Sequence, residues 1–362
     1  MTRWNCIQGG KRKTTLMFDA SSSANTGARE TLALSFVERW RSRVRTRVTV
    51  LCWMAFVAAL ISAFAPWMQQ VLHATPQLAW LLGLAVHWQW LVLVIGVPAG
   101  MLAWLLGRKL TLVPLGCIVV AWFLQLPAAP LERVGDGVAD ASLRVASLNL
   151  HLDNQNLHRL WAWLASKEAP DVIVLHEFTP FHAQALHAQG TWLDTLYPER
   201  RLHPQEGPFG QAILARIPIT GSIWQPDPVN TPKLHVRLHW QGQKIALQSL
   251  HSMPPISASA AQDEAHRLYE AAVEASLQPY GIIVGDLNAT PWSASMRAIA
   301  PYVQRASGIA PTWPNWGGWF SMLPLDHILI SNGWVVRERR RGPDVGSDHR
   351  PVIVQLSMVA VP

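Results

Sequence analysis

Charged side chains are scarce in this chain: Asp, Glu, Lys and Arg make up 15% of its 362 residues, and 50% are hydrophobic. An average soluble domain carries about 25% charged residues, so the deficit argues against disorder and indicates a part that lies in a membrane. Acidic residues are rare before residue 131, where 3 Asp/Glu accompany 12 Lys/Arg. Residues 131–362 contain 20 Asp/Glu and 18 Lys/Arg, so the overall charge of +7 does not indicate a basic nucleic-acid surface in that part of the chain.

Cysteine is missing from the last two thirds of the chain, because Cys6, Cys52 and Cys117 all precede residue 130. The later part of the chain therefore forms no internal disulfide. A zinc site built on thiolates is excluded there as well. The cysteine pattern leaves the redox compartment open.

Three apolar stretches without charged residues occupy residues 48–68, 78–106 and 110–126. At about 1.5 Å per residue, the first stretch reaches the roughly 30 Å of a bilayer core. Arg108 and Lys109 separate the other two, and we expect this pair in a tight loop at an interface because charge is costly inside a membrane. The pattern predicts three transmembrane helices.

Positive charge flanks the first stretch on one side. Residues 69–77, after this stretch, contain no Lys or Arg. Five arginines precede it: Arg39, Arg41, Arg43, Arg45 and Arg47. The positive-inside rule then predicts a multi-pass inner-membrane protein with a cytoplasmic N-terminus and everything after the third helix in the periplasm. Alternatively, one stretch is a buried globular helix, or the first is a cleaved signal. His87 and Gln89, near a span end, are expected to face lipid headgroups.

The predicted organisation has four parts. Residues 1–47 form a disordered, basic cytoplasmic leader, and residues 48–126 form the three transmembrane helices. Residues 127–142, rich in Pro and Gly, form a linker. Residues 143–362 form the catalytic domain.

Short apolar runs bounded by turn residues and separated by helical stretches follow residue 140, which is an α/β pattern. Helices are predicted at residues 154–166 and 258–277, and Gln241-Gly242 predicts a hairpin turn. Strands outnumber helices, so the pattern predicts a two-sheet β-sandwich flanked by helices. The predicted strands are residues 144–148, 172–175, 211–215, 233–239, 244–249, 281–284, 326–330 and 351–356.

Polar side chains sit at the ends of these strands. They are Asn149, Glu177, His251, Asp286, Asn288, Asp326, Asp348 and His349. Each alone is more simply explained as a turn residue, a helix cap or a rim histidine. Their order along the chain is more specific than any single position.

With the motifs GDLNATPWS and GSDHRP, at residues 285–293 and 346–351, these residues resemble the endonuclease/exonuclease/phosphatase superfamily. It includes pancreatic-type deoxyribonucleases, abasic-site endonucleases, neutral sphingomyelinases and inositol-polyphosphate 5-phosphatases. The resemblance covers residues 144 to about 356 and implies an α/β (α+β), DNase-I-like, four-layer fold, here after a three-helix transmembrane anchor. His176 is a departure, since the family usually has Gln before the Glu.

The resemblance implies one metal-phosphate site, with Asn149, Glu177 and Asp348 as metal ligands. Carboxylate and amide oxygens suit Mg²⁺ or Mn²⁺, and a phosphodiester hydrolase needs such a hard cation.

Catalytic roles follow from the same resemblance. Asp286 would orient and deprotonate the water, and Asn288 would hold a phosphate oxygen. His349 would stay an imidazolium because Asp326 is its partner. His251 would protonate or stabilise the leaving oxygen, although the acid and base roles of the two histidines could be exchanged.

Two further features bear on the substrate. The first is a basic run that forms either a solvated face or a phosphate clamp. It consists of Arg337, Arg339, Arg340 and Arg341. The Trp-rich residues 312–320 suit core packing, base stacking or contact with lipid headgroups. The leading expectation is a membrane-anchored endonuclease or exonuclease acting on DNA or RNA. The alternatives are a phosphodiesterase or phosphatase for lipid headgroups or small phosphate esters, and a non-catalytic binding module. No protein partner is predicted.

Overall fold

The computed structural model of the chain describes residues 20–71, 75–125, 141–226, 231–315 and 323–359. The predicted linker, residues 127–142, lies outside these ranges except for its last two residues. Residues 1–19 of the predicted leader also lie outside them.

The N-terminal part is helical. Helices α1 (Ala20–Val71), α2 (Pro76–His87), α3 (Gln89–Leu105) and α4 (Leu112–Gln125) follow one another, with a 3₁₀ turn at Lys109–Thr111. Helix α1 packs against the other three. Because α1 begins at Ala20, residues 20–47 are helical, and the expectation of a disordered leader is wrong for them. No hydrophobic period marks that segment, yet it continues directly into the apolar helix.

The three-helix transmembrane anchor is a second correction. Among the described residues, one segment, Phe36–Ala65, is long and apolar enough to cross a membrane by itself. Helices α2 and α3 are bent by 55° and pass the same test only as one joint span. Helix α4 has 14 residues, whereas a span needs about 20. Apolar composition predicted the three stretches, but it does not report whether each stretch is one straight helix.

Two six-stranded sheets follow. Their strands are β1 (Leu143–Asn149), β2 (Val172–His176), β3 (Glu199–His203), β4 (Gln211–Ala215), β5 (Ile219–Gln225), β6 (Lys233–Trp240), β7 (Gln243–Leu250), β8 (Gly281–Asp286), β9 (Gln304–Arg305), β10 (Asp326–Ile330), β11 (Trp334–Arg341) and β12 (Val352–Met358). The strand order is β11-β12-β1-β2-β4-β3 in the first sheet and β5-β6-β7-β8-β10-β9 in the second. Both sheets are mixed, because β1 pairs with β2 and β7 with β8 in parallel, and the other pairings are antiparallel.

The sheets pack face to face and carry helices on their outer faces. Successive residues of a strand point to opposite faces, so Val145 of β1 enters the core between the sheets while Ala146 lies under the outer helices. The first sheet is flanked by α5 (His158–Leu164), α6 (Pro180–His187) and α7 (Thr191–Leu196), and the second by α8 (Ala258–Ser276) and α9 (Ala294–Ala298). The predicted two-sheet sandwich flanked by helices is confirmed.

Each of the eight predicted strands is present, with ends within two residues of the prediction. The predicted hairpin is also present: Gln241 and Gly242 have φ of 51° and 74°, the positive values that a two-residue turn between β6 and β7 requires. The predicted helix over residues 154–166 is shorter and begins at His158.

Candidate active site

One end of the sandwich gathers the polar residues at the strand ends. Asn149 is the last residue of β1, Glu177 follows β2 and His251 follows β7. Asp286 ends β8, and Asp326, which begins β10, is its direct partner in the antiparallel ladder. Strand pairing within each sheet, together with the packing of the two sheets, therefore brings distant parts of the chain to one end of the sandwich.

Asn149 holds two carboxylates together. Its Nδ2 donates to Glu177 Oε1 at 2.8 Å and to Asp286 Oδ2 at 3.1 Å, while its Oδ1 accepts from the backbone of His151 at 2.9 Å. Glu177 has a positive φ of 55°, and its Oε2 accepts from the backbone N–H of Leu152 at 2.7 Å. In this arrangement Asn149 presents its amide nitrogen to the carboxylates, not the oxygen expected of a ligand.

Two histidines direct their Nε2 atoms at the Asp286 carboxylate. The distances to Asp286 Oδ2 are 3.6 Å from His349 and 3.9 Å from His251. His349 Nδ1 donates to Asp326 Oδ2 at 2.8 Å, and His251 Nδ1 donates to the carbonyl of Pro208 at 3.0 Å. Each ring is thus oriented through its Nδ1 atom, which leaves Nε2 free to face the cleft.

The charges of this cluster stabilise one another. Burial lowers the pKa of His349, but the negative charges of Asp326 and Asp286 outweigh burial and raise it to about 10. Burial raises the pKa of Asp286, yet the charges of His349 and His251 outweigh this effect and hold it below its usual value. At neutral pH the site therefore holds an imidazolium beside a carboxylate.

Asp348 and Asn288 lie on the loops around this cluster. The indole Nε1 of Trp313 donates to Asp348 Oδ2 at 3.1 Å. Asn288 has a positive φ of 49°; its backbone N–H donates to Asp286 Oδ1 at 3.0 Å and its Nδ2 donates to the carbonyl of Ser252 at 2.8 Å. Both side chains are therefore held in fixed orientations.

Gly285 allows β8 to approach the chain that carries His251. A Cβ atom at this position would lie 1.7 Å from the carbonyl oxygen of Leu250, which no side chain tolerates. The backbone N–H of Ser252 donates to the carbonyl of Asp286 at 3.0 Å. The glycine of the GDLNATPWS motif thus sets the separation between His251 and Asp286.

Sequence reasoning missed several supporting residues. Ser347 Oγ donates to the carbonyl of Asn149 at 2.7 Å and ties the last motif to β1. His182 Nε2 donates to the carbonyl of Asn154 at 3.0 Å and, with Thr179, caps α6 directly after Glu177. Thr179-Pro180 is a recognisable helix start, whereas the Ser347 contact has no local signal in the sequence.

The site lies in a cleft of about 550 Å³ that helix α2 helps to form. Leu84, His87 and Trp88 line one side of the cleft, which also contains Glu177 and Asp348. His87 was expected to face headgroups, but it packs on the catalytic domain: its Nδ1 lies 2.9 Å from Thr290 Oγ1 and accepts from the backbone N–H of Thr290 at 3.3 Å. Gln89, for which the sequence predicts the same headgroup contact, is buried.

His176 does not line this cleft. Its Nε2 donates to Ser249 Oγ at 3.1 Å, and Ser249 donates on to Gln211 at 2.6 Å. Burial, with the charge of His251 acting in the same direction, lowers the pKa of His176 to about 3, so the ring is neutral. The departure from the family pattern at His176 therefore changes a residue that packs next to His251. The ring centroids of the two histidines are 5.6 Å apart.

The basic run lies on β11, an edge strand, and does not line the cleft. Arg340 forms ion pairs with Glu168 and Glu338, and Arg341 donates to the carbonyl of Pro311 at 3.0 Å. The geometry favours a structural surface over a phosphate clamp. Of the Trp-rich segment, residues 316–320 lie outside the described residues, and Trp313 lines the cleft.

The donor set fits a hard divalent cation. Glu177, Asp286 and Asp348 line the cleft, and none of its described lining residues is Lys or Arg. Candidate ligand atoms of Asp286, Asp326 and His349 lie within 4.8 Å of one another, and Asp326 Oδ1 is buried without a partner. Oxygen donors of this kind are typical of Mg²⁺ and Mn²⁺ sites.

Several solved structures are similar to this chain. An endonuclease/exonuclease/phosphatase from Bacteroides vulgatus is 15% identical, with a TM-score of 0.50 over 60% of this chain and 100% of that chain. Humanized D. rerio TDP2 is 20% identical, with a TM-score of 0.49 over 59% and 98%. Sphingomyelinase C from Streptomyces griseocarneus is 19% identical, with a TM-score of 0.45 over 60% and 99%. At these identities the likeness concerns the fold.

The comparison with curated proteins gave no match. A family model described as the endonuclease/exonuclease/phosphatase family matches residues 146–349, which is more than half of the chain and includes the first motif and the Gly346–His349 part of the second. Members of this family are generally metal-dependent phosphoester hydrolases. The two-sheet fold, the buried carboxylate and histidine cluster and this match agree, and the chain belongs to the endonuclease/exonuclease/phosphatase family.

Proposed function

We propose that this protein is a divalent-cation-dependent hydrolase of phosphodiesters. The charge of the cleft carries the proposal: three carboxylates line it, from Glu177, Asp286 and Asp348, and its described lining residues include no Lys or Arg. Such a cleft repels an anionic phosphoryl group unless a cation neutralises the carboxylates. Mg²⁺ or Mn²⁺ would be held by Glu177 and Asp348, and Asn149 would add its amide oxygen after rotation of the side-chain amide, whose nitrogen faces the carboxylates in the structure.

The chain's own residues supply the proton transfers. A bound cation would polarise the phosphoryl group and make water more acidic. Hydrolysis forms a bond from the water oxygen to phosphorus and breaks the bond to the leaving oxygen. Asp286 accepts the proton of the water, and His251 donates a proton to the leaving oxygen. Asn288 holds a phosphoryl oxygen, and His349, kept charged by Asp326, stabilises the negative charge that develops on phosphorus-bound oxygens.

The surroundings of the N-terminal helices support attachment to a membrane. Large apolar side chains of α1, α3 and α4 are exposed, more than a soluble surface carries: Met54, Val57, Phe64, Val94, Met101, Leu105, Val113, Val120, Phe123 and Leu124. We propose that α3 and α4, which contact each other on either side of Arg108-Lys109, enter the bilayer and return to the same face, so that α1 makes the net crossing. The arginines before the first apolar stretch would hold the N-terminus inside, so we propose that the catalytic domain lies outside the cytoplasm.

The nuclease expected from the sequence is the weaker candidate for the substrate class. Proteins that bind nucleic acid without sequence preference neutralise several phosphates with Lys and Arg, which the described lining of the cleft lacks. Helix α2 also closes one side of the cleft. A binding-only module is disfavoured because the base, the charged histidine and their partners are all retained in one cluster.

The test is hydrolysis of bis(p-nitrophenyl) phosphate by the full chain in lipid nanodiscs. We expect p-nitrophenolate release with Mg²⁺ or Mn²⁺, loss of release in excess EDTA and recovery when the cation is added back. Full activity in EDTA would contradict the need for a cation. Absence of release with each cation would contradict the proposed hydrolase.

A further inference from the structure

The cleft has a polar end and an apolar end. The carboxylates and histidines form the polar end, where the strands of the two sheets end. The apolar end is formed by α2 with the residue that follows it, Trp88, and by the loop after His251. Its apolar lining residues are Leu84, Trp88, Met253, Pro254, Pro255 and Ile256. Helix α2 belongs to the apolar helical part of the chain, so the cleft lies at the boundary between that part and the catalytic domain.

Helix α2 is a fixed wall of this cleft. The indole Nε1 of Trp80 donates to the carbonyl of Pro255 at 2.7 Å, which ties α2 to the loop across from it. Val86 is buried with Trp292 of the catalytic domain and Ala65 of α1. His87 is bonded to Thr290, two residues after Asn288. The same loop that carries Asn288 therefore carries the contact surface for the apolar helices.

Apolar side chains at the mouth of the cleft are left uncovered. Ile256 is 73% exposed and Trp88 is 39% exposed, although both line a cleft whose deep end is buried and charged. An apolar patch continuous with a catalytic centre is the arrangement expected where a substrate covers that patch with its own apolar part. A cleft of about 550 Å³ accommodates a phosphodiester group with several methylenes.

We propose that the substrate is an amphiphilic phosphodiester, whose hydrocarbon part lies between α2 and residues 253–256 while its phosphate reaches the polar end. The proposal rests on the hydrolase function above and adds a substrate class and a binding surface. It assigns Trp88 and Ile256 to recognition of the hydrocarbon. A polynucleotide offers bases and no alkyl chain to this surface, and its neighbouring phosphates would meet no Lys or Arg among the described residues of the cleft.

The experiment compares alkyl p-nitrophenyl phosphates that differ only in the alkyl group: methyl, butyl and hexyl. All release the same p-nitrophenolate, and the short chains remain monomeric. Burial of one methylene is worth about 0.8 kcal/mol, or about fourfold in affinity, so even partial burial of a hexyl chain should raise kcat/KM at least about tenfold over methyl. The full chain is used in nanodiscs with Mn²⁺.

Two variants test the binding surface, one from each wall: Ile256→Asn and Trp88→Ala. Each should reduce the hexyl-to-methyl ratio of kcat/KM at least about threefold. Leu277→Asn is the matched control, because Leu277 is 75% exposed but lies at the end of α8, outside the cleft. This control should keep the wild-type ratio, and any enrichment of the hexyl ester in the lipid is common to all four proteins.

The outcomes separate the two proposals. Hydrolysis of all three esters at equal kcat/KM would leave the hydrolase standing and overturn the amphiphilic substrate. Equal ratios in the wild type and both wall variants would overturn the surface assigned here. Faster cleavage of a single-stranded DNA oligonucleotide than of the hexyl ester would favour a nuclease. No hydrolysis of any ester would overturn the hydrolase and, with it, the substrate class.

Discussion

Asp286 is the residue at which the proposed chemistry converges. Its carboxylate accepts from Asn149, faces the Nε2 atoms of His251 and His349 and is buried. A buried carboxylate is stable as an anion only with such partners. The pKa of Asp286 is lowered and that of His349 is raised, and each residue contributes to the shift of the other because their opposite charges attract.

We expect Asp286→Asn and His349→Ala each to reduce kcat at least about 100-fold, the usual scale for the loss of a positioned base or charge stabiliser. The measurement is steady-state hydrolysis of bis(p-nitrophenyl) phosphate, with circular dichroism to verify folding. The matched controls are Asp263→Asn and His266→Ala, whose side chains are exposed on α8. A folded Asp286→Asn enzyme with wild-type kcat would remove Asp286 from the mechanism.

The residues that sequence reasoning found share one property: each lies at the end of a strand or within a motif. Asn149, Glu177 and Asp286 could be predicted because the strands before them are apolar and continuous. His87 and Trp313 could not, since each meets its partner across many residues through tertiary packing. Their side chains are ordinary for an apolar helix and for a Trp-rich loop.

At the scale of the element, every strand missed from the sequence is an edge strand. The edges of the two sheets are β11 and β3, and β5 and β9. All eight predicted strands are interior, and except for β6, which alternates, most of their residues are buried, as in strands covered on both faces. An edge strand exposes one side and is commonly polar or charged, as the arginines of β11 are, so hydrophobic pattern does not reveal it.

The apolar stretch at residues 78–106 shows the same limit for helices. Its apolar composition predicts one span, but the chain bends by 55° between α2 and α3. The polar residues His87 and Gln89 flank the bend, but in the sequence they indicate the end of a span and not a break within the stretch. Helix α2 docks on the catalytic domain through His87 and Trp80. This tertiary contact holds the axis of α2 at an angle to that of α3.

Glu264 of α8 lies beside α2 and gives this interface a pH dependence. Burial raises the pKa of Glu264 from 4.5 to about 8, only partly offset by a hydrogen bond from Ser295, and its Oε1 has no partner. A folded-state pKa above the unfolded value favours folding fully below pH 4.5. That contribution is lost as pH rises through about 8.

We therefore expect Glu264→Gln to gain stability relative to the wild type as pH rises from 5 to 8.5, on the order of a few kcal/mol in total. Thermal unfolding followed by Trp fluorescence at both pH values measures the difference. Asp263→Asn on the exposed side of the same helix is the control and should show no such trend. An advantage for Glu264→Gln that is the same at both pH values would contradict the raised pKa.

At the scale of the whole molecule, the catalytic domain is attached to its apolar helices at the active site itself. The contacts of α2 with Thr290 and Trp292 fix which face of the domain is turned toward those helices. If the helices lie in a bilayer, the mouth of the cleft is held near the lipid surface. Orientation across the membrane then decides which compartment supplies the substrate.

The orientation has a direct test. A reporter active only in the periplasm should be active when fused at Pro362 and silent when fused after Arg108. Neutral replacements of Arg41, Arg43, Arg45 and Arg47 should produce mixed orientation, because these charges hold the N-terminus inside. A silent reporter at Pro362 of the unmodified chain would show that the number of crossings is even and the proposed side is wrong.

The central claim is that the carboxylates of the cleft hold a divalent cation. The measurement that tests it most directly is Mn²⁺ binding to the full chain, followed by electron paramagnetic resonance of the free ion. We predict a Mn²⁺ site in the wild type that is lost or weakened at least about tenfold in Glu177→Gln, since that residue supplies a charged oxygen ligand. Glu199→Gln, on the edge strand β3 and paired with Arg201, should bind like the wild type. Equal Mn²⁺ binding by the wild type and Glu177→Gln would contradict the claim.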